Sequence, residues 1–195
     1  TVPSSGGWTD DLLVGLIDCL GRRDFGRHAL ARINRVLPAA SWAVYLLPES
    51  GRPAMVTSAS FEVPDTTRDC WQTYRAGLYR RDDTFASARE QALPGRLMMT
   101  QWHAEEIRPP HRDLIYRRHG VRERLSVVRV EDGGTLLAVN FYRHEHQRLF
   151  TEREIARLQG LAVGLVACVQ RHTEIVEPSA RAEAVTRVPA AATVL

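Results

Sequence analysis

Lysine is absent from this sequence, and arginine supplies all 26 of its basic residues. Against 23 acidic residues this leaves a formal net charge of +3, which does not by itself indicate a nucleic-acid-binding protein. A nucleic-acid surface needs basic residues clustered on one face, whereas the arginines here are scattered along the chain. We interpret most of them as solvated, although Arg117, Arg122 and Arg124 could meet an anionic ligand or a DNA-binding module.

Cysteine is scarce: Cys19, Cys70 and Cys168 lie far apart, and no Cys-x-x-Cys pair occurs. An odd number of isolated cysteines predicts neither a disulfide framework nor a zinc site, and it fits a reducing compartment. The sequence has no apolar run near the roughly 20 residues that a membrane helix needs, and no signal peptide is visible. These absences predict a cytoplasmic protein without a membrane partner.

The sequence motifs of common enzyme classes are missing as well. GxSxG, GxGxxG and GxxxxGK(S/T) do not occur, and the adjacent Asp82 and Asp83 would point apart rather than act as a catalytic pair. A small enzyme or metal-binding protein using His103, His144 and His146 is the alternative that stays open, but a metal site needs more ligands than these offer. We expect a protein that is not an enzyme and has no cofactor or metal.

Apolar periodicity predicts an α+β domain. Stripes at helical spacing and short runs at strand spacing follow one another in the order α-α-β-β-α-loop-β-α-β-β-α. The predicted helices cover residues 9–20, 24–37, 65–78, 109–120 and 151–175, and the predicted strands cover 41–48, 53–61, 96–102, 122–131 and 135–143. The economical arrangement is a GAF/PAS-like α-β-α sandwich with a central antiparallel sheet of about five strands.

The first and last predicted helices carry the longest apolar stripes, and we expect them to form dimer and output surfaces. The last helix begins with a capping box, in which Thr151 and Glu154 each accept a hydrogen bond from the other's backbone N–H. Phe150 and Ile155 flank this box at the spacing of a hydrophobic staple.

The stretch from Trp71 to Ser126 is rich in side chains that suit a small-molecule pocket. Tyr74, Tyr79 and Trp102 can donate to ligand carbonyls while their rings close a pocket, and Asp83 can accept from a ligand N–H. Two plainer interpretations stay open. The aspartates 82 and 83 can simply cap a helix formed by the following residues, and the aromatic residues can be core.

Trp42 and Tyr45 belong to the first predicted strand, where side chains alternate between the two faces of the sheet. They therefore point to opposite faces. One of them can line a pocket while the other packs under helices, and the sequence alone does not decide which does so.

The same stretch resembles the sensor domains of LuxR-type transcriptional regulators, over roughly residues 10–175. Tyr74 precedes Asp83 with eight residues between them, Tyr79 lies between the two, Trp102 follows, and Ser126 occupies a strand position that often lines the pocket. The resemblance implies a GAF-like fold and a pocket for a small molecule such as an acyl-homoserine lactone. The implied ligand-binding residues are Tyr74, Tyr79, Asp83, Trp102, Trp42, Tyr45 and Ser126.

Composition predicts a disordered, Gly/Ser-rich N-terminus at residues 1–8 and an Ala/Pro/Val-rich linker at 177–195, which leaves a sensor domain at 9–176. The resemblance implies that the linker leads to a C-terminal helix-turn-helix domain. We expect a ligand-sensing, homodimeric regulatory domain that reaches DNA only through that further domain. The competing hypothesis is a ligand-free dimerisation module of the same fold, whose pocket would be filled by its own side chains.

Overall fold

The structure is a computed structural model that describes residues 7–186, with side chains described over residues 10–176. The strands are β1 (Ser41–Leu47), β2 (Ala54–Ser60), β3 (Met98–His103), β4 (Val121–Val130) and β5 (Leu136–His144). All neighbouring strands are antiparallel, and they form one sheet in the order β2-β1-β5-β4-β3. The predicted central sheet of about five strands is confirmed.

Five α-helices and three short helical turns cover the sheet. The α-helices are α1 (Gly7–Ile17), α2 (Phe25–Ile33), α3 (Thr67–Arg75), α4 (Asp83–Gln91) and α5 (Glu152–Thr186). The turns are the 3-10 turns Leu78–Arg81 and Ala104–Glu106 and the π-helical turn Arg112–Arg117. No helix in this described part of the chain is long and apolar enough to cross a membrane.

Strand alternation divides the interior into two apolar layers. On one face of the sheet Trp42, Val139 and Phe141 pack with α1, α2 and α5. On the other face Tyr45 and Ala138 pack with α3, α4 and the short turns. Neighbouring residues of one strand thus enter different layers, as period-two alternation requires. The predicted α-β-α sandwich is confirmed.

The start of α5 is fixed to the sheet by buried charges. Thr151 and Glu154 form the predicted capping box, with Thr151 N donating to Glu154 Oε2 at 2.8 Å and Glu154 N donating to Thr151 Oγ1 at 3.3 Å. Arg143 of β5 donates to Glu154 Oε1 at 2.9 Å. Glu123 of β4 accepts the backbone N–H of Phe150 at 2.7 Å. Two strands therefore set the position of the helix's first turn.

The structure differs from the predicted elements at three places. The helix predicted over residues 109–120 is instead a π-helical turn over Arg112–Arg117. Residues 83–91 form α4, where a broken segment was predicted between residues 80 and 95. Helix α5 continues to Thr186, beyond the predicted end at residue 175, through a segment rich in the helix-favouring residues Ala, Glu and Arg. Residues 1–6 of the predicted N-terminal segment and residues 187–195 of the predicted linker lie outside the described residues, and the domain division stays a prediction.

Candidate functional site

A cavity lies on the face of the sheet that α3, α4 and the π-helical turn cover. Strands β1, β4 and β5 form its floor, and the helices form its walls. Its largest lining side chains are Tyr45, Tyr74, Phe85, Tyr116, Arg124 and Tyr142. Five of these six are aromatic, so the cavity offers flat apolar walls with a few polar atoms, which is typical of small-molecule sites.

Space in this cavity is limited in the structure. The volume that the centre of a water molecule can occupy is about 40 Å³. That holds about three water molecules, because each needs about 10–15 Å³ by this measure. The aromatic rings are in mutual contact, with Tyr45 stacked on Trp71 at 5.1 Å and on Tyr74 at 5.9 Å between ring centroids. A ligand larger than a few atoms needs these rings to move apart.

Behind the cavity wall, Asp82 joins α3 to α4. Its carboxylate accepts a hydrogen bond from the Tyr74 hydroxyl at 3.0 Å and from the Thr84 N–H at 3.1 Å, and a further one from the Thr84 hydroxyl. The Thr84 N–H belongs to the first turn of α4, so Asp82 is the N-cap of that helix. Asp82 therefore positions Tyr74 in the wall while its own oxygens are occupied.

Arg124 brings a charge to the cavity. Only 2% of this residue is exposed, and its guanidinium lies over the Phe85 ring, 4.4 Å from the centroid. One terminal nitrogen donates to the Thr84 hydroxyl, which in turn donates to Asp82. The Arg124 Nε atom is buried and has no hydrogen-bond partner among the described residues. An unpaired buried donor is costly unless a ligand or water accepts from it.

Burial sets the protonation states around the cavity. It raises the pKa of Tyr74 well above its ordinary value, and the adjacent Asp82 raises it further, so the phenol keeps its proton. Burial lowers the pKa of His111 although Asp82 opposes the shift, which leaves a neutral imidazole at pH 7. Burial alone would lower the pKa of Arg124, but nearby acidic groups including Asp82 raise it on balance. Arg124 therefore stays cationic.

The structure brings two of the predicted site residues to the cavity. Tyr74 and Tyr45 both line it. Tyr79 stands just outside, with its ring centroid 6.4 Å from that of Tyr74 and Arg80 over its face. Ser126 is on the cavity side of the sheet but is covered, and its hydroxyl donates to Asn140 Oδ1 at 2.7 Å.

Three other predicted residues lie away from the cavity. Trp42 is fully buried in the opposite layer, where its indole N–H donates to the Gly26 carbonyl at 2.9 Å, because strand alternation turns it away from Tyr45. The Asp83 side chain is 61% exposed and pairs with Arg108 at 3.2 Å. Asp83 and Trp102 border a shallow groove outside α4. A ligand-binding role for these residues stays a prediction.

The three histidines named from the sequence do not form a cluster. His144 is buried against Ser41, with 3.3 Å between Nε2 and the hydroxyl oxygen, and its ring centroid is 6.3 Å from that of His146. His103 lies beside Glu123 on the β3 side of β4, whereas His144 pairs with Val121 on the β5 side of the same end of that strand. Within the described residues no three metal-binding side chains of the His, Cys, Asp and Glu types converge.

Sequence reasoning named Arg124 only as one of three arginines that could meet an anionic ligand or a DNA-binding module, and it did not place Tyr142, His111 or Tyr116 at a site. Strand alternation could have placed two of these four residues on the cavity face. Arg124 lies two positions before Ser126 on β4 and so shares its face, as Tyr142 shares a face with Asn140 on β5. His111 and Tyr116 had no such signal. They belong to a turn whose π-helical geometry does not follow the usual helical spacing.

Comparison with known proteins supports the fold. The chain is similar to the LBD domain of VqsR from Pseudomonas aeruginosa, with a TM-score of 0.67 and 19% identity over 87% of this chain and 98% of that one. It is similar to CepR2 from Burkholderia cenocepacia, an N-acylhomoserine lactone dependent LuxR-family transcription factor, with a TM-score of 0.60 and 18% identity over 85% of this chain and 96% of that one.

A more distant similarity links the chain to GAF domains. The phycoerythrobilin-bound GAF domain of a cyanobacterial phytochrome gives a TM-score of 0.54 and 12% identity, over 85% of this chain and 94% of that one. No family model and no curated protein matches the sequence. At these identities the similarity shows the fold: this chain has the α+β fold shared by the ligand-binding domains of LuxR-type regulators and by GAF domains.

Proposed function

We propose that this chain is a small-molecule-sensing regulatory domain of a LuxR-type transcriptional regulator. Ligand enters the cavity between the sheet and α3 and α4, and its binding is coupled through α5 to a DNA-binding domain beyond this chain. The enclosed aromatic cavity with an unpartnered buried donor, Arg124 Nε, is the observation that carries the proposal. Such convergence of apolar walls and a few polar groups is the usual form of a ligand site.

The path from the cavity to α5 is short. Arg124 and Glu123 are neighbours on β4 and point to opposite faces, so the first lines the cavity while the second accepts the Phe150 N–H at 2.7 Å. A shift of β4 on ligand binding therefore reaches the residue next to the capping box of α5. A ligand can bias this arrangement only if it binds one position of β4 more tightly than another.

A second candidate function is a ligand-free dimerisation module of the same fold. The narrowness of the cavity favours it, since its own aromatic side chains fill most of the space. Exposed apolar residues on the helical layer suit a second copy of the chain in either case: Val14 and Ile17 are each 56% exposed on α1, and Val163 is 74% exposed on α5. Both candidates describe a cytoplasmic homodimer.

Thermal unfolding with a ligand panel separates the two candidates. The panel contains acyl-homoserine lactones of different chain length and small aromatic acids. A ligand at about 100 times its dissociation constant stabilises by about 2.7 kcal/mol, which raises the midpoint by roughly 5–11 °C for a domain of this size, at roughly 2–4 °C per kcal/mol. We expect at least one class to produce this shift, and a flat panel would favour the ligand-free module.

A pair of neighbouring substitutions localises the site. Ile115 lines the cavity, whereas Leu114 beside it is 39% exposed. Ile115→Phe adds volume inside the cavity and should abolish the ligand-induced shift, measured from the midpoint of the ligand-free variant. Leu114→Phe adds the same ring outside and should retain the shift. If both variants retain the ligand-induced shift, the ligand binds outside this cavity.

A further inference from the structure

The charge of Arg124 has no direct counterion in the described structure. Asp82 is reached only through the Thr84 hydroxyl, which accepts from the guanidinium and donates to the carboxylate. Phe85 covers one face of the guanidinium and cannot accept in its plane. A cation that is 98% buried with a free Nε–H is stabilised most by an anion that brings its own oxygens.

The acceptor that a neutral amide ligand would need is already in use. Asp82 receives the Tyr74 hydroxyl and two donors from Thr84, and it lies behind the residues that line the cavity. The charged side chain that lines the cavity is therefore a cation, Arg124, while the Asp82 carboxylate lies outside the lining. This asymmetry favours an anionic ligand with acceptor oxygens and disfavours a cation.

The other lining residues indicate the chemistry of the uncharged part of the ligand. Tyr45, Tyr74, Phe85 and Tyr116 present ring surfaces, and Ile115 adds an aliphatic one. Flat rings stack on such surfaces in offset or edge-to-face arrangements. The restricted space admits a small body more readily than a long acyl chain.

We propose that the cavity selects a small aromatic carboxylate, whose carboxylate accepts the Arg124 Nε–H while its ring packs against the tyrosines. This inference rests on the proposed sensing function and names its ligand class. Arg124 is the specificity-determining residue, because a guanidinium pairs with a carboxylate through charge-assisted hydrogen bonds that a neutral ester cannot match.

The test compares acids with their own methyl esters. Benzoate, phenylacetate and 3-phenylpropanoate, each with its methyl ester, are titrated into the protein by calorimetry and in thermal unfolding. The esters keep the ring and the carbonyl but lose the charge. We expect at least one acid to bind about tenfold to hundredfold more tightly than its ester, the range for hydrogen bonds to a charged group.

Two variants test whether Arg124 causes the preference for the acid over its ester. Arg124→Met keeps an unbranched side chain without the charge and should remove the difference between acid and ester. Arg122→Met makes the same change on the same strand at an exposed arginine that lies outside the cavity lining and donates to the Gln147 carbonyl, and it should keep the difference. If Arg124→Met does not fold, the comparison of acid with ester in the unaltered protein still decides the question.

The outcomes separate this inference from the function on which it rests. Equal affinity for acid and ester, or stabilisation by lactones alone, would overturn the anion preference and leave the sensing function standing. Failure of every acid, ester and lactone to bind would overturn both. A preference for acids that persists in Arg124→Met would also overturn the inference, because another group would then hold the carboxylate.

Discussion

The Tyr74 hydroxyl donates to Asp82 Oδ2 at 3.0 Å, and this hydrogen bond ties α3 to the N-terminus of α4. The tyrosine ring faces the cavity, whereas the carboxylate lies behind it among the first N–H groups of α4. Movement of one helix therefore changes the wall that the other presents. A ligand that displaces Tyr74 acts on the cap of α4 as well.

Removing the carboxylate at this position should cost considerable stability. Asp82→Ala removes the cap of α4 and leaves the buried Tyr74 hydroxyl and the Thr84 hydroxyl without their acceptor. We expect the free energy of unfolding to fall by about 2–4 kcal/mol, measured by urea denaturation. Asp83→Ala is the matched control and should change stability by less than about 1 kcal/mol, since its ion pair with Arg108 is exposed. Equal effects would contradict the assignment of the cap.

Two helical glycines should respond oppositely to alanine. A Cβ at Gly26 of α2 would lie 2.7 Å from the backbone oxygen of Ser58, which cannot move freely within β2. Gly26→Ala should therefore destabilise by about 1–3 kcal/mol, the usual cost of overpacking. A Cβ at Gly160 of α5 meets nothing within 4 Å, so Gly160→Ala should stabilise by about 0.5–1 kcal/mol. Thermal melts measure both, and destabilisation by Gly160→Ala would contradict the exposed position of this residue.

Acid should weaken the attachment of α5 through Glu154. Burial opposes ionisation of this carboxyl, but hydrogen bonds from Arg143 and Thr151 lower its pKa to about 2. Because the pKa is lower in the folded state, the stabilisation is present above about pH 4.5 and is lost as the pH falls toward 2. We expect the ionised group to contribute on the order of 3 kcal/mol.

Glu154→Gln isolates this contribution. The variant should be less stable than the unaltered protein at pH 7, and the difference should shrink as the pH falls from 4.5. Glu152→Gln, at an exposed position two residues earlier in the same helix, is the control and should show little difference at either pH. A difference for Glu154→Gln that does not change with pH would contradict the ion pair.

Burial of His172 should make the free energy of unfolding depend on pH at higher pH values than Glu154 does. Burial lowers its pKa below 6.5, its Nδ1 accepts the Gly21 N–H at 3.1 Å, and its ring stacks on Phe25 at 3.9 Å. The unfolded chain therefore takes up a proton first, and the free energy of unfolding falls as the pH drops below about 6.5. His172→Gln should reduce that slope by up to about 1.4 kcal/mol per pH unit. An unchanged slope in denaturation curves from pH 7 to 5 would contradict this.

The strands and most helices could be predicted because burial repeats at their periods. The inner strands β1 and β5 pack on both faces, which gives the apolar runs SWAVYLL and LLAVNFYRH. Helix α4 was predicted only as an alternative to a loop, because just Thr84, Phe85 and Ala88 are buried in it, which is too few for an apolar stripe. Tertiary contacts fix it instead, including the Arg89 guanidinium, which donates to the Gly134 carbonyl at 2.6 Å.

The candidate site could be predicted only in part. Tyr74 was named for its aromatic hydroxyl and through the resemblance, whereas Tyr45 was named together with Trp42, because alternation separates their faces without showing which face has the cavity. The choice between Asp82 and Asp83 was not visible, since a shift of one residue at a helix start exchanges a buried cap for an exposed side chain. Burial of Arg124 was also hidden, because arginine is mostly exposed and sequence alone does not mark the exception.

The central claim is that a small molecule occupies the cavity, and the isoleucine methyl groups report on this most directly. The sequence has six isoleucines, of which Ile115 lines the cavity and Ile33 lies in the opposite layer. Labelled methyl spectra are recorded with and without a saturating amount of the panel compound that stabilises most. The account predicts that the Ile115 methyl signal moves while the Ile33 signal stays in place. Binding that leaves the Ile115 signal unchanged would contradict it.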